Sequence, residues 1–124
     1  MFRNILVIIG GGIGALFRYQ LSGWIYKLLG AEFPYGTLAV NLIGCFVIGL
    51  FLTIAEDRFL ISPSFRIFFA VGVLGGFTTF STFSFETVEL LKGGAVAMGL
   101  LNAIVSVVFG LAAAWVGMIV GRII

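Results

Sequence analysis

The sequence contains no histidine and only one cysteine. Histidine is the most frequent acid–base catalyst and metal ligand near neutral pH, so its absence weakens the case for an enzyme. The single cysteine, Cys45, cannot form an internal disulfide bond, and its apolar segment does not favour a thiolate metal site. No pair of a nucleophile and a base is visible either. We therefore predict that the protein is not an enzyme.

Charged residues are also scarce. They make up 10% of the 124 residues, against about 25% in a typical soluble domain. The formal net charge of +2 rests on so few charges that it does not indicate binding to nucleic acid. Hydrophobic residues, by contrast, make up 61% of the chain before its glycines are counted. This composition predicts an integral membrane protein in contact with the lipid bilayer.

Four segments are long and apolar enough to cross a bilayer as helices, which takes roughly 20 residues each. They lie at about residues 5–29, 36–55, 65–91 and 95–124. Their connections are short, so we expect a single all-α membrane domain of four antiparallel helices over residues 1–124. The first segment has only Arg3 before it and carries Arg18 within it, so we interpret it as a mature helix and not as a signal peptide.

The third segment contains an unusual stretch at residues 75–84, Gly-Gly-Phe-Thr-Thr-Phe-Ser-Thr-Phe-Ser. Two adjacent glycines weaken a helix, and the rings and hydroxyls recur with a period of three, which is not the period of a strand. Irregular backbone at membrane depth is tolerated only where it is buried in protein or lines a cavity. We predict that the third helix is broken near residues 75–79 and that the break lines something polar.

The groups around this break suit a small, hard anion. Hydroxyls such as those of Ser81 and Thr82 can donate hydrogen bonds, and the rings of Phe80 and Phe83 present positive edges. The amide of Asn41, in the second segment, can also donate. Carbonyls freed at a helix break can instead coordinate a small cation. The alternatives are that the rings pack or face lipid, that the hydroxyls bond their own backbone, and that Asn41 only joins two helices.

Several other residues allow two interpretations. Arg18 either reaches the headgroups or attracts anions in a vestibule. Glu86 and Glu89 share one helix face, either as a solvated helix end or as an electrostatic gate. Residues 24–27 resemble an interfacial aromatic belt. Asn102 either lines a pathway or bonds between helices.

Small residues recur every fourth position on two segments, a spacing suited to close contact between helices. The first segment carries Gly10 and Gly14, and the fourth carries two stripes: Ser106, Gly110 and Ala114, and Ala113, Gly117 and Gly121. So many contact faces suggest packing against another copy of the chain. Four arginines fall on one side of the membrane and two lysines on the other, a weak bias that allows insertion in both orientations.

Residues 75–84 resemble the signature of the Fluc (CrcB) fluoride channel family. Residues 12–19 and 36–44 resemble further motifs of that family, and the resemblance covers the whole chain. It implies a passive, fluoride-selective channel that exports toxic fluoride across the cytoplasmic membrane of a bacterium as a multi-pass protein. It also implies an antiparallel, dual-topology homodimer with two pores, which agrees with the weak charge bias.

The resemblance further implies roles for individual residues. Phe80 and Phe83 are the rings that face fluoride, and Asn41 is the nearby polar donor. A track of hydroxyls contains Ser81, Thr82 and Ser106.

The same resemblance implies a structural sodium ion at the dimer centre. The backbone carbonyls of Gly75 and Thr78, from both copies, would hold this ion. Arg18 would lie toward the vestibule and Glu86 near a pore mouth.

Two other functions remain compatible with parts of the sequence. A small multidrug transporter needs a carboxylate within the membrane, but every acidic residue here lies near a segment end. An accessory subunit of a larger complex would explain the small-residue stripes. It would not explain why hydroxyls, rings and Asn41 are associated with one stretch.

Overall fold

The computed structural model describes residues 1–58 and 61–124, and all regular secondary structure within these ranges is helical. Helix α1 spans Phe2–Leu29, α2 spans Tyr35–Arg58 and α5 spans Val96–Ile123. Between them, α3 runs through Pro63–Arg66, Ile67–Leu74 and Gly75–Phe77, and α4 spans Phe80–Lys92. Together α3 and α4 form one span, so four spans are long and apolar enough to cross a membrane. The predicted four-helix, all-α membrane fold is confirmed.

Local sequence explains where these helices begin and end. Ser62 caps α3 by accepting a hydrogen bond from the backbone N–H of Phe65 at 3.2 Å, and Pro63 occupies the first helical position. Gly30 and Gly94 adopt φ values of 84° and 88°, a conformation that favours glycine, and they allow the chain to turn after α1 and after α4.

The small residues of α5 pack against α2 of the same chain. A Cβ at Gly117 would overlap the carbonyl oxygen of Phe46, and one at Gly49 would overlap that of Ala114. The two helices therefore approach to backbone contact along their length. The close contacts of these glycines are thus made within the chain, and packing against a second copy stays a prediction that the stripes do not support.

Helix α1 makes a similar close contact with α3. A Cβ at Gly14 would overlap the carbonyl oxygen of Val73, and one at Gly10 would meet Gly72. The predicted contact face of α1 is thus confirmed. The facing part of α3, Ile67–Leu74, is wound as a π-helix, a rare conformation that often occurs near functional sites. Its apolar sequence carried no signal for this winding.

Candidate functional site

The helix break predicted near residues 75–79 is confirmed and lies at Thr78 and Thr79. Thr78 has a ψ of 159°, and Thr79 has a φ of −152° and a ψ of 111°, so both are extended. Gly75 and Gly76 are themselves helical. The glycines therefore do not form the break, contrary to the reasoning from the sequence. Gly76 instead allows α3 to touch α1, since a Cβ there would overlap the carbonyl oxygen of Gly11.

The break is held open by the side chain of Asn41 on α2. Its Nδ2 donates to the carbonyl oxygen of Thr79 at 3.0 Å, and its Oδ1 accepts from the N–H of Thr79 at 2.7 Å. One amide thus satisfies both backbone groups of an extended residue inside the membrane, where unpaired backbone groups are costly. Asn41 does join two helices, and it also lines the cavity described below.

Thr79 caps the start of α4. Its Oγ1 accepts from the N–H of Thr82 at 3.2 Å and donates to Oγ1 of Thr82 at 3.0 Å. The hydroxyl of Ser81 lies 3.3 Å from the same Thr79 oxygen. Part of the hydroxyl cluster therefore serves the helix start, one of the two interpretations that the sequence left open.

These contacts leave two backbone carbonyls free. In an unbroken α-helix the N–H of Thr79 would bond the carbonyl of Gly75, and the N–H of Thr82 would bond that of Thr78. Asn41 and the Thr79 hydroxyl take those two N–H groups instead. In the described part of the chain, neither the Gly75 nor the Thr78 carbonyl has a hydrogen-bond donor.

A cavity of about 340 Å³ lies on one side of the break. Both residues with free carbonyls line it, together with several of the predicted anion-path residues: Asn41, Phe80, Phe83 and Ser106. The ring centroids of Phe80 and Phe83 are 5.6 Å apart. Phe80 is 78% exposed in the single chain, so this side of the cavity is open.

A second cavity of about 200 Å³ lies on the other side of the break and contains the predicted vestibule arginine. Arg18 lines it with Thr37, Thr79 and Thr82. The structure therefore divides the predicted pathway: Thr82 and Arg18 lie on this side, while the rings and Ser106 lie on the other. Ser81 lines neither cavity and belongs only to the hydroxyl cluster.

Glu86 is tied to two other helices. Its carboxylate accepts from the hydroxyl of Tyr26 on α1 at 2.8 Å and from that of Thr37 on α2 at 2.5 Å. Tyr26 was interpreted from the sequence as part of an interfacial belt, but it is half-buried and bonded to an acid. Glu89, which shares the face of Glu86, is exposed and pairs with Lys92 at 3.4 Å, as expected for a solvated helix end.

A third cavity, of about 250 Å³, lies beside Glu86 and the C-terminal part of α4. It is lined by Glu86, Glu89 and Glu32 among others. Since Thr37 lines the arginine cavity, the Glu86 carboxylate lies where the two cavities approach each other. The roles of Tyr26 and Thr37 were missed, because residues 26, 37 and 86 are far apart in sequence and carry no shared motif.

Asn102 on α5 is a further polar residue and is 1% exposed. It donates to Oγ1 of Thr87 at 2.9 Å, and Thr87 donates to the carbonyl of Phe83 at 2.7 Å. Ser106 donates to Oδ1 of Asn102 at 3.4 Å. Asn102 therefore bonds α5 to α4, and through Thr87 this bond reaches the backbone of Phe83.

Comparisons with known proteins place the chain among related sequences. Residues 5–118 match the family described as "CrcB-like protein, Camphor Resistance (CrcB)". A protein of Citrifermentans bemidjiense named "Fluoride-specific ion channel FluC" is 48% identical over 122 residues, which cover 98% of each chain. A protein of the same name from Pelobacter propionicus is 51% identical over 109 residues, which cover 88% of this chain and 84% of the relative.

Proposed function

This chain belongs to the CrcB-like family, and we propose that it is a fluoride-selective channel through which fluoride leaves the cytoplasm passively, which lowers fluoride toxicity. The chain is a multi-pass membrane protein, and the relatives that carry the channel name are bacterial. The observation that carries the proposal is the break in the third span, which lies between two cavities lined by hydroxyls, an amide and aromatic rings. Conduction of this kind involves no chemical step, and residues 1–124 act as one domain.

Fluoride must lose tightly held water to cross the membrane, so the path has to replace that water with donors at short range. On one side of the break, Arg18 and the hydroxyl of Thr82 supply such donors. On the other side, the second N–H of the Asn41 amide and the edges of Phe80 and Phe83 do so. Ser106 provides a hydroxyl beside the rings, and Ser81 provides one beside Thr79, outside both cavity linings. Glu86 accepts a hydrogen bond from Thr37 of the arginine cavity.

A structural sodium ion at the break is part of this proposal. Oxygen ligands suit hard cations, and backbone carbonyls of broken helices coordinate sodium in transporters. Gly75 and Thr78, whose carbonyls are free, line one cavity, and carbonyl oxygens are ligands of the kind that such an ion takes. Groups of three or more acidic, histidine or cysteine ligands are absent from the residues described, so side chains do not offer a rival site. A bound sodium ion would add positive charge at the break.

The second copy of the chain in an antiparallel homodimer would cover this cavity. Free carbonyls, Asn41 and Ser106 cannot face lipid, because the hydrocarbon offers them no partners. Phe80 and Gly75 are nevertheless exposed in the single chain. A second copy of opposite orientation would bring an equivalent set of carbonyls to the same place, and the weak charge bias of the loops permits that orientation.

We expect both orientations to coexist in the membrane. A cysteine introduced after Ile124 in a Cys45→Ala background would be labelled with an impermeant maleimide in intact spheroplasts. About half of the copies are expected to react before lysis and all of them after it. Labelling of nearly all or nearly none before lysis would contradict the antiparallel arrangement.

The proposed function is tested by ion efflux from liposomes that contain the purified protein. Liposomes would be loaded with potassium fluoride or potassium chloride, and valinomycin would carry the compensating charge. We expect rapid fluoride release while chloride is retained. Protein-free liposomes, which should retain both anions, are the control. Retention of fluoride by correctly folded protein, or equal release of chloride, would contradict a fluoride-selective channel.

A further inference from the structure

Two side chains, those of Thr79 and Asn41, keep the two carbonyls at the break free of helical hydrogen bonds. We propose that they are positioning residues of the cation site and set its affinity for sodium. This inference rests on the sodium site proposed above. Thr79 was not among the site residues predicted from the sequence. Its proposed role is to position the Thr78 carbonyl by binding the N–H of Thr82, without touching the sodium ion itself.

The contribution of Thr79 follows from its cap. Its hydroxyl accepts the N–H of Thr82 at 3.2 Å, and this N–H is the only helical donor that could reach the Thr78 carbonyl by α-helical spacing. Without the hydroxyl, α4 could extend toward its N-terminus by bonding Thr82 to Thr78. The Thr78 carbonyl would then point along the helix axis and accept a hydrogen bond from the N–H of Thr82. A cation would have to displace that hydrogen bond before it could bind.

The contribution of Asn41 is equivalent but affects the other carbonyl. Its Oδ1 takes the N–H of Thr79 at 2.7 Å and so withholds it from the Gly75 carbonyl. The same amide lines the cavity of the proposed anion path, which means that one side chain connects the anion path to the cation site. Because Asn41 and Thr79 both line that cavity, conduction cannot separate the two roles, and the test below measures sodium binding directly.

The test compares Thr79→Val with Thr79→Ser. Valine keeps the branched shape without the hydroxyl, whereas serine keeps the cap. The full-length protein in detergent would be melted at constant ionic strength while sodium chloride replaces N-methylglucamine chloride. The readout is the sodium concentration that gives half of the maximal stabilisation. We expect this concentration to rise roughly tenfold in Thr79→Val, about the effect of one or two competing hydrogen bonds, and to stay near the wild-type value in Thr79→Ser.

The outcomes separate this inference from the proposed sodium site. A loss of general stability shifts the whole melting curve but not the half-saturating sodium concentration. Equal half-saturating values in Thr79→Val and wild type would overturn the inference and leave the sodium site in place. Absence of any sodium effect on wild type would overturn both.

If Thr79→Val does not purify in folded form, Thr79→Ala and Thr79→Asn replace it. Asparagine keeps a capping acceptor, so Thr79→Asn is expected to bind sodium with near wild-type affinity. Alanine lacks this acceptor, so Thr79→Ala is expected to bind sodium more weakly. Equal sodium affinity in these two variants would overturn the inference as well.

Discussion

Replacing Asn41 with aspartate is expected to reduce fluoride conduction by about a hundredfold or more. The aspartate can still accept the N–H of Thr79. Its second oxygen, however, would face the Thr79 carbonyl at the 3.0 Å where the amide now donates. Two acceptors at that distance repel each other, and leaving a buried group without its partner costs about 1–3 kcal/mol. The new negative charge would also repel the anion that the cavity is proposed to admit. A barrier increase of about 2.7 kcal/mol corresponds to a hundredfold lower rate.

The matched control for this variant is Cys45→Ala. Cys45 lies one turn further along α2 and lines the same cavity, and its free thiol makes no side-chain hydrogen bond in the described structure. Initial fluoride efflux from liposomes is the measurement, with size-exclusion profiles and helical content as checks on folding. We expect Cys45→Ala to conduct within about twofold of wild type. Wild-type rates for Asn41→Asp would refute the role of the two hydrogen bonds between Asn41 and Thr79 in conduction. An equal loss in both variants would show that this face of α2 tolerates no change.

The overall fold could be predicted from the sequence because it follows from hydropathy. The four spans begin and end within a few residues of the predicted segments. The Ser62–Pro63 start was also predictable, because a cap depends on adjacent residues. These features are local, and local features are what a single sequence reveals most directly.

The origin of the break could not be predicted in this way. The pair of glycines drew attention to the right place, but the break is made by contacts of Thr79 with Asn41, which is 38 residues away in sequence. The hydrogen bonds of Glu86 with Tyr26 and Thr37 likewise join residues that are far apart in sequence. Such contacts depend on how the helices are arranged, and the spacing of residues along one helix does not specify that arrangement.

The small-residue stripes show a different limit of sequence reasoning. The four-residue spacing correctly indicated that α5 makes a close helix contact, but it does not say with which helix. The structure assigns Gly117 and Gly121 to α2 of the same chain. The case for a second copy therefore rests on the open cavity beside Phe80, where polar groups need a cover, and not on the stripes.

Replacing either Phe80 or Phe83 with leucine is expected to reduce fluoride conduction by about tenfold or more, while chloride remains excluded. Leucine keeps most of the apolar volume but lacks the positive ring edge that we propose attracts fluoride. Aromatic edge contacts contribute up to about 1.5 kcal/mol, which corresponds to roughly a tenfold change in rate. Fluoride and chloride efflux from liposomes are the measurements.

Phe109→Leu is the control for the same chemical change at a site away from the cavity. Phe109 lies on α5, is exposed and does not belong to the cavity lining. We expect it to conduct like wild type, because a ring outside the cavity lining has no anion to contact. Wild-type conduction in both Phe80→Leu and Phe83→Leu would remove the rings from the path and leave them as packing residues.

A double variant that combines Phe80→Leu with Phe83→Leu tests whether the two rings contact the same ion. Their centroids are 5.6 Å apart, and the Phe83 carbonyl is fixed through Thr87 and Asn102. An anion that passes along both edges would lose most of its stabilisation when either ring is replaced. The effects of the two substitutions should then be clearly less than additive, whereas rings serving separate positions should give additive effects. Additive losses would therefore divide the path into two independent sites, and a shared loss would define one site formed by both rings.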